Sequence, residues 1–251
     1  AVTGDKIKCS FKINGSEMGS IINASSQPNL SLSIEACDFI DKITLYKNFK
    51  PWKIINGEFI KSSGNDDLYK VRVEMGWGHE AEPYKWKGNI NIKDGVLKSV
   101  DPCFRGQNVL SPESKSKESD NINQLNNKII EQNENEVRWE CTTFKNPTTR
   151  HPQTNSLLLE IKGDKNSELN VKINGKDKKY SLEKLLQGSF SNHIERYNSE
   201  AFVMHQAVPA SRYNYHGEWS DLTKENPEDI YHVHIRQKNN QMAWISPIFV
   251  R

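Results

Sequence analysis

Alternation of apolar and polar residues with a period of two runs through most of the chain, and it restricts the fold more than any other feature. In "DKIKCSFKI" (5–13) Ile7, Cys9, Phe11 and Ile13 share one side, and in "LSLSIEA" (30–36) Leu30, Leu32, Ile34 and Ala36 do. Neighbouring side chains of a strand point to opposite faces, so each stretch reads as a half-buried strand. The pattern continues in "DKITLYKN" (41–48), "KIINGEFI" (53–60), "LYKVRVEMGWG" (68–78), "EVRWECTTF" (136–144), "SLLLEIKG" (156–163) and "ELNVKING" (168–175). Asn56-Gly57 and Asn174-Gly175 carry a type I′ hairpin signature. Lys93-Asp94-Gly95 reads as a tight turn dividing "YKWKGNINIKDGVLKSV" (84–100) into two strands. Residues 107–136 are polar and read as a surface excursion, with a short helix around Ile122–Ile130. The best helix is "SLEKLLQGS" (181–189), capped by Ser181, with Glu183 in its first turn and Gly188 stopping it.

The opening sixty residues supply three or four antiparallel strands, the first half of an immunoglobulin-like sandwich. They lack the last strands of that fold, and the terminal hairpin in "IYHVHIRQKNNQMAWISPIFV" (230–250) lacks a sheet to join. Pairing the two solves both problems. The expected fold is therefore all-β: an immunoglobulin-like sandwich made of residues 1–66 and 205–251, split by an inserted second β-sandwich over 68–200, with one short helix near 181–188.

A formal net charge of +2, from 34 bases against 32 acids, provides no field to hold a polyanion, so nucleic acid is not an expected partner. No apolar stretch approaches the ~20 residues of a membrane-spanning helix. The chain opens on Ala1 rather than Met, which suggests a processed or excised protein and is compatible with both export and cytoplasmic residence. Cys9, Cys37, Cys103 and Cys141 form no CxxC pair. They read as buried thiols, with disulfides 9–37 and 103–141 as the alternative in an exported protein.

His232-x-His234 is the most suggestive chemistry, because residues two apart on a strand share a side and such pairs occur in metal sites. A two-residue loop at Asn239-Asn240 would set His234 opposite Ile245, His232 opposite Pro247 and Arg236 opposite Ala243. That face offers no third ligand and places a cation beside the pair, so no metal is expected here unless His205 or His216 joins it. Ile245 and Phe249 on the same face instead suggest that a domain covers it. "GWGHEAEPYKWKG" (76–88) and "SRYNYHGEWSDL" (211–222) concentrate aromatic and polar residues in what read as loops. Trp77, His79, Trp86 and Trp219 are thus candidate sugar-binding residues, set against a reading of the tryptophans as core anchors. No GxSxG, Walker loop, GxGxxG or HExxH is present, and no catalytic residue is assigned.

"AVTGDKIKCSFKINGSEMGS" at the start, "GWG…W-x-G-x-I-x-I-x-x-G" in the middle and "RQ-x-N-x-Q-M-A-W-x-SPI-x-V" at the end follow in this order over nearly the whole chain. The arrangement resembles the C-terminal portion of bacterial proteins related to PHP-type metal-dependent phosphoesterases. The resemblance implies an accessory, non-catalytic module. Its divalent metal would sit in a catalytic domain upstream of Thr3–Asp5, and that domain would be its partner. A carbohydrate-binding module using exposed aromatics is the alternative.

Overall fold

The computed structural model describes residues 2–3, 5–23, 27–60, 67–77, 83–104, 127–143, 154–197 and 199–251. Strands dominate, as the period-two pattern requires. The first seven are β1 (Val2–Thr3), β2 (Lys8–Ile13), β3 (Ser16–Glu17), β4 (Ile21–Ile22), β5 (Asn29–Glu35), β6 (Ile40–Lys47) and β7 (Lys50–Asn56). There follow β8 (Leu68–Trp77), β9 (Tyr84–Cys103), β10 (Lys128–Gln132), β11 (Glu136–Thr143), β12 (Asn155–Ile173) and β13 (Lys176–Ser181). Helix α1 (Leu182–Gln187), β14 (Phe190–His193), β15 (Ala201–Met204), β16 (Val208–Pro209) and helix α2 (Ala210–Tyr213) come next. The chain closes with β17 (Asn214–Ser220), β18 (Asp229–Gln237), β19 (Met242–Trp244) and β20 (Ile248–Val250). These elements form two compact units, one of Ala1–Asp66 with Val208–Arg251 and one of Asp67–Ala207.

The split unit is an immunoglobulin-like sandwich. One sheet runs β1-β19-β18-β20-β4, with β6 on the other side of β18 and β7 beyond it; the second runs β17-β5-β2-β3. Phe11, Ile13, Leu30, Leu32 and Ile34 of the second sheet, and Ile43, Leu45, Val233 and Ile235 of the first, are all buried. Each such side chain contributes about 1.5–3 kcal/mol on leaving water. The hairpin expected at Asn56-Gly57 forms instead at Asn48-Phe49, both left-handed at φ 49 and 64, and Gly57–Phe59 is a 3-10 turn. Two causes act. A Cβ at Gly57 would lie 1.8 Å from the Ile40 carbonyl oxygen, so glycine is there for close packing. Asn48 in turn is locked by accepting from the Ile230 N–H at 2.9 Å and donating to Asp229 at 2.8 Å.

In the inserted unit β9 and β12 are each continuous, where two strands were expected from each. They pair along most of their length and bend together, with a break in register between Gly163 and Glu168 and Asp94 at φ 56. Ser167, fully buried, donates to the Asp94 carbonyl and fills the space beside Gly163. Past this corner each long strand changes neighbours: β9 pairs with β11 over 84–91, and β12 pairs with β8 over 155–162. One sheet thus folds onto itself around a single core, and Trp139 Nε1 donates to Met75 Sδ at 3.2 Å across it. The turn at Asn174-Gly175 (φ 45 and 83) and the Ser181 cap on α1 form where the sequence places them. Lys128–Ile130, expected at the end of a short helix, lie in β10, Asn127 before them is in no helix, and residues 122–126 fall outside the described residues. All four cysteines carry free thiols, and burial pushes those of Cys9 and Cys141 up to about 12.

A polar cluster sits within the split unit. Lys47 Nζ lies 2.7 Å from Asp221 and 3.4 Å from Asp229, with all three side chains at most 4% exposed. It also donates to the Thr223 carbonyl, and Tyr231 donates to Asp221 at 2.7 Å. Burial alone would raise the Asp221 pKa, but Lys47, the Thr223 N–H and the Tyr231 and Thr223 hydroxyls bring it down to about 2. A carboxylate depressed in the folded state adds stability that is complete above its unfolded value near 3.8 and is lost as pH falls towards 2. Lys47→Met, which leaves two buried carboxylates unpaired, is expected to cost about 3–5 kcal/mol in urea denaturation at pH 7. The difference between wild type and Asp221→Asn should shrink between pH 4 and pH 2; a constant difference would refute the assignment. Gly88→Ala should cost about 1–3 kcal/mol, because its Cβ would fall 2.1 Å from the Trp139 ring.

Candidate functional site

Strand β18 alternates as its sequence requires. Tyr231, Val233 and Ile235 are buried, and His232, His234 and Arg236 face outward. The partner register differs from expectation by one residue. Lys238–Asn240 form a three-residue loop with Asn240 left-handed at φ 62, closed by Gln237 N–H donating to the Gln241 carbonyl at 2.9 Å. His234 therefore faces Trp244 and Arg236 faces Met242. A one-residue slip exchanges the faces of a strand, so Ile245, expected outside, is buried in line with Val233, whose carbonyl accepts its N–H. Beyond Ile245 the chain returns to the expected register in β20, where Ile230 pairs with Phe249 and Tyr231 with Ile248. Phe249 stays on the outer side, half-buried, next to exposed Ile21.

The outer face carries stacked rings. His232 lies parallel to Tyr46 at 4.7 Å and tilted against Phe49 at 5.9 Å, and His234 stacks on Trp244 at 4.9 Å. Phe49 is 73% exposed and Trp244 52%. Burial lowers the pKa of His232; burial, Arg236, Lys42 and His232 in that order lower that of His234. Among the described residues no group of three or more His, Cys, Asp or Glu side chains is placed to hold a metal. What the face offers is a broad aromatic surface with two neutral imidazoles. Both histidines should titrate below the ordinary value near 6.5 by NMR, and Arg236→Ala should move His234 back towards it. A His234 that titrates above 6.5 would contradict this arrangement.

Behind this face the termini are joined by Gln237, which is fully buried. Its Oε1 accepts from the N–H groups of Cys37 (2.7 Å) and Asp38 (3.1 Å), and its Nε2 donates to Asp5 at 2.9 Å. Asn239 donates to the same Asp5 oxygen at 3.0 Å. Asp5 of "TGD" and Gln237 and Asn239 of "RQ-x-N" thus meet in one network. Gln237→Leu should cost at least about 2 kcal/mol in urea denaturation, because buried N–H groups lose their acceptor; a neutral effect would mean that water replaces the amide.

The remaining candidates are dispersed. Trp86 is fully buried, donating to Thr143 Oγ1 at 2.8 Å, and has no face for a sugar. Trp219 lies in β17, a strand where a loop was expected. It stands opposite Leu30 on the inner row of the sheet, its ring stacked with Tyr215 over Gly217. Trp77 ends β8, and its side chain and all of His79 lie outside the described residues. His216 is exposed beside Glu218. His205 Nε2 donates to Glu74 (2.8 Å), which also accepts from the Thr154 hydroxyl. Burial would raise the Glu74 pKa, but these partners and Arg72 hold it below the ordinary carboxylate value.

No family model matches the chain, and no curated protein does. Two solved structures are similar to it: a variant of BcpA, the major pilin subunit of Bacillus cereus, at a TM-score of 0.21, and BcpA itself at 0.14. Each is 8% identical over 98% of this chain, which spans 66% of the pilin's length. A likeness this loose assigns no function.

Proposed function

We propose that this chain is a non-catalytic β-sandwich module of a PHP-like metal-dependent hydrolase, packing against the catalytic domain through the outer face of the β6–β18–β19 sheet. The observation that carries this reading is the stacked surface of Tyr46, Phe49, His232, His234 and Trp244, continued by Ile21 and Phe249. Exposed apolar surface of this kind marks interaction sites, and aromatic side chains dominate their energetics. Neutral imidazoles suit the role, since a buried interface penalises unpaired charge. The resemblance of segments along the chain to PHP-related proteins is the reason for taking a catalytic domain of that kind as the partner.

The test expresses the coding region upstream of Ala1 as a separate chain and measures its binding to this one. A stoichiometric complex is expected, weakened at least tenfold by Phe49→Ser with Trp244→Ser. Absence of binding, or an upstream region without a metal-ligand motif, would overturn the proposal. A carbohydrate-binding role would have to use the exposed Trp244 and Phe49 in place of Trp86 and Trp219. Glycan-array binding lost in Trp244→Ser would favour it over docking.

A further inference from the structure

Where helix α2 and the terminal hairpin loop meet the first sheet there is a cleft of about 270 Å³. Four cations line it, Lys42, Arg212, Arg236 and Lys238, against two carboxylates, Asp41 and Glu58. Arg236 is engaged by Asp41, its Nε donating at 2.7 Å. Lys42, Arg212 and Lys238 pair with no carboxylate among the described residues. Arg212 Nε is buried and has no acceptor.

The cations are held in place. Lys42 and Arg236 are cross-strand neighbours on β6 and β18, and Asn56 follows on β7. The Arg212 guanidinium lies 5.6 Å over the Phe39 ring and the Lys238 ammonium 5.0 Å from the same ring. The Lys238 N–H is anchored to the Phe39 carbonyl at 3.0 Å. Donors thus converge from a helix, a loop and a sheet. A planar carboxylate needs one guanidinium fork, whereas a tetrahedral oxyanion can be met from several sides at once.

We infer that this cleft binds a phosphate group, as the free anion or as the phosphoryl end of a small molecule, with Arg212 and Lys238 as its principal donors. The inference draws on neither the stacked rings nor a catalytic partner, although Lys42 and Arg236 belong to the same outer face. Calorimetric titration of the full chain at low ionic strength with inorganic phosphate, with glycerol 3-phosphate and with acetate tests it. One saturable phosphate site is expected, weakened at least tenfold by Arg212→Ala and by Lys238→Gln and unchanged by Lys224→Ala, which lies outside the cleft. Acetate should bind at least tenfold more weakly than phosphate. Tighter binding of glycerol 3-phosphate than of phosphate would identify a phosphorylated ligand, and the reverse order the free anion. No saturable binding, equal affinity for acetate, or full affinity in the Lys238→Gln variant (an adventitious ion only) would overturn the inference. Lys238 is exposed in a loop, so that variant decides the matter even if Arg212→Ala does not fold.

Discussion

The ammonium group of Lys47 holds together two stretches of chain that synthesis sets far apart. Its acceptors Asp221, Thr223 and Asp229 lie on the far side of the entire inserted unit. Apolar burial supplies most of the free energy that closes the sandwich, but it is non-directional and would tolerate several registers. The ion cluster has one arrangement in which every partner is satisfied. Asn48 links it to the β6–β7 turn and to the start of β18, so turn geometry, strand register and charge pairing depend on one another.

Much of the fold was legible in the sequence because alternation is a local property. The β2, β5 and β18 patterns predict their buried faces, and Asn174-Gly175 forms the turn its composition suggests. The failures come from choices made by distant residues. Asn48-Phe49 outcompetes Asn56-Gly57 because Asn48 finds partners 181 and 182 residues away. Asp94-Gly95 bends a strand and does not end it, because β12 bends alongside. In "NYHGEW" the alternation of Tyr215, Gly217 and Trp219 already described a strand, disguised by a glycine whose missing side chain is replaced by two rings.

The candidate sites show the same division. That His232 and His234 share an outer face follows from period two, but their ring partners depend on the β18–β19 register, which a three-residue loop shifts by one. The cluster of Lys42, Arg212, Arg236 and Lys238 is invisible in the sequence, since no two of its members form a recognisable motif. Composition left two readings open at Trp86: a tryptophan among polar residues can be a sugar platform or a core anchor with a single hydrogen bond, and its burial shows the second.

The Gln237 network bears on the order in which the chain acquires structure. Its hydrogen bonds span 200 residues to Cys37 and 232 to Asp5. During synthesis, which runs from the N-terminus, β1 to β7 emerge first and cannot complete their sheets until β17 to β20 have been made. The inserted unit, whose strands pair among themselves, has all its partners earlier. Throughout that interval the apolar rows of β2, β5 and β6 wait without their final neighbours, and a chain lacking β19 and β20 would strip β1 and β4 of the strands they pair with.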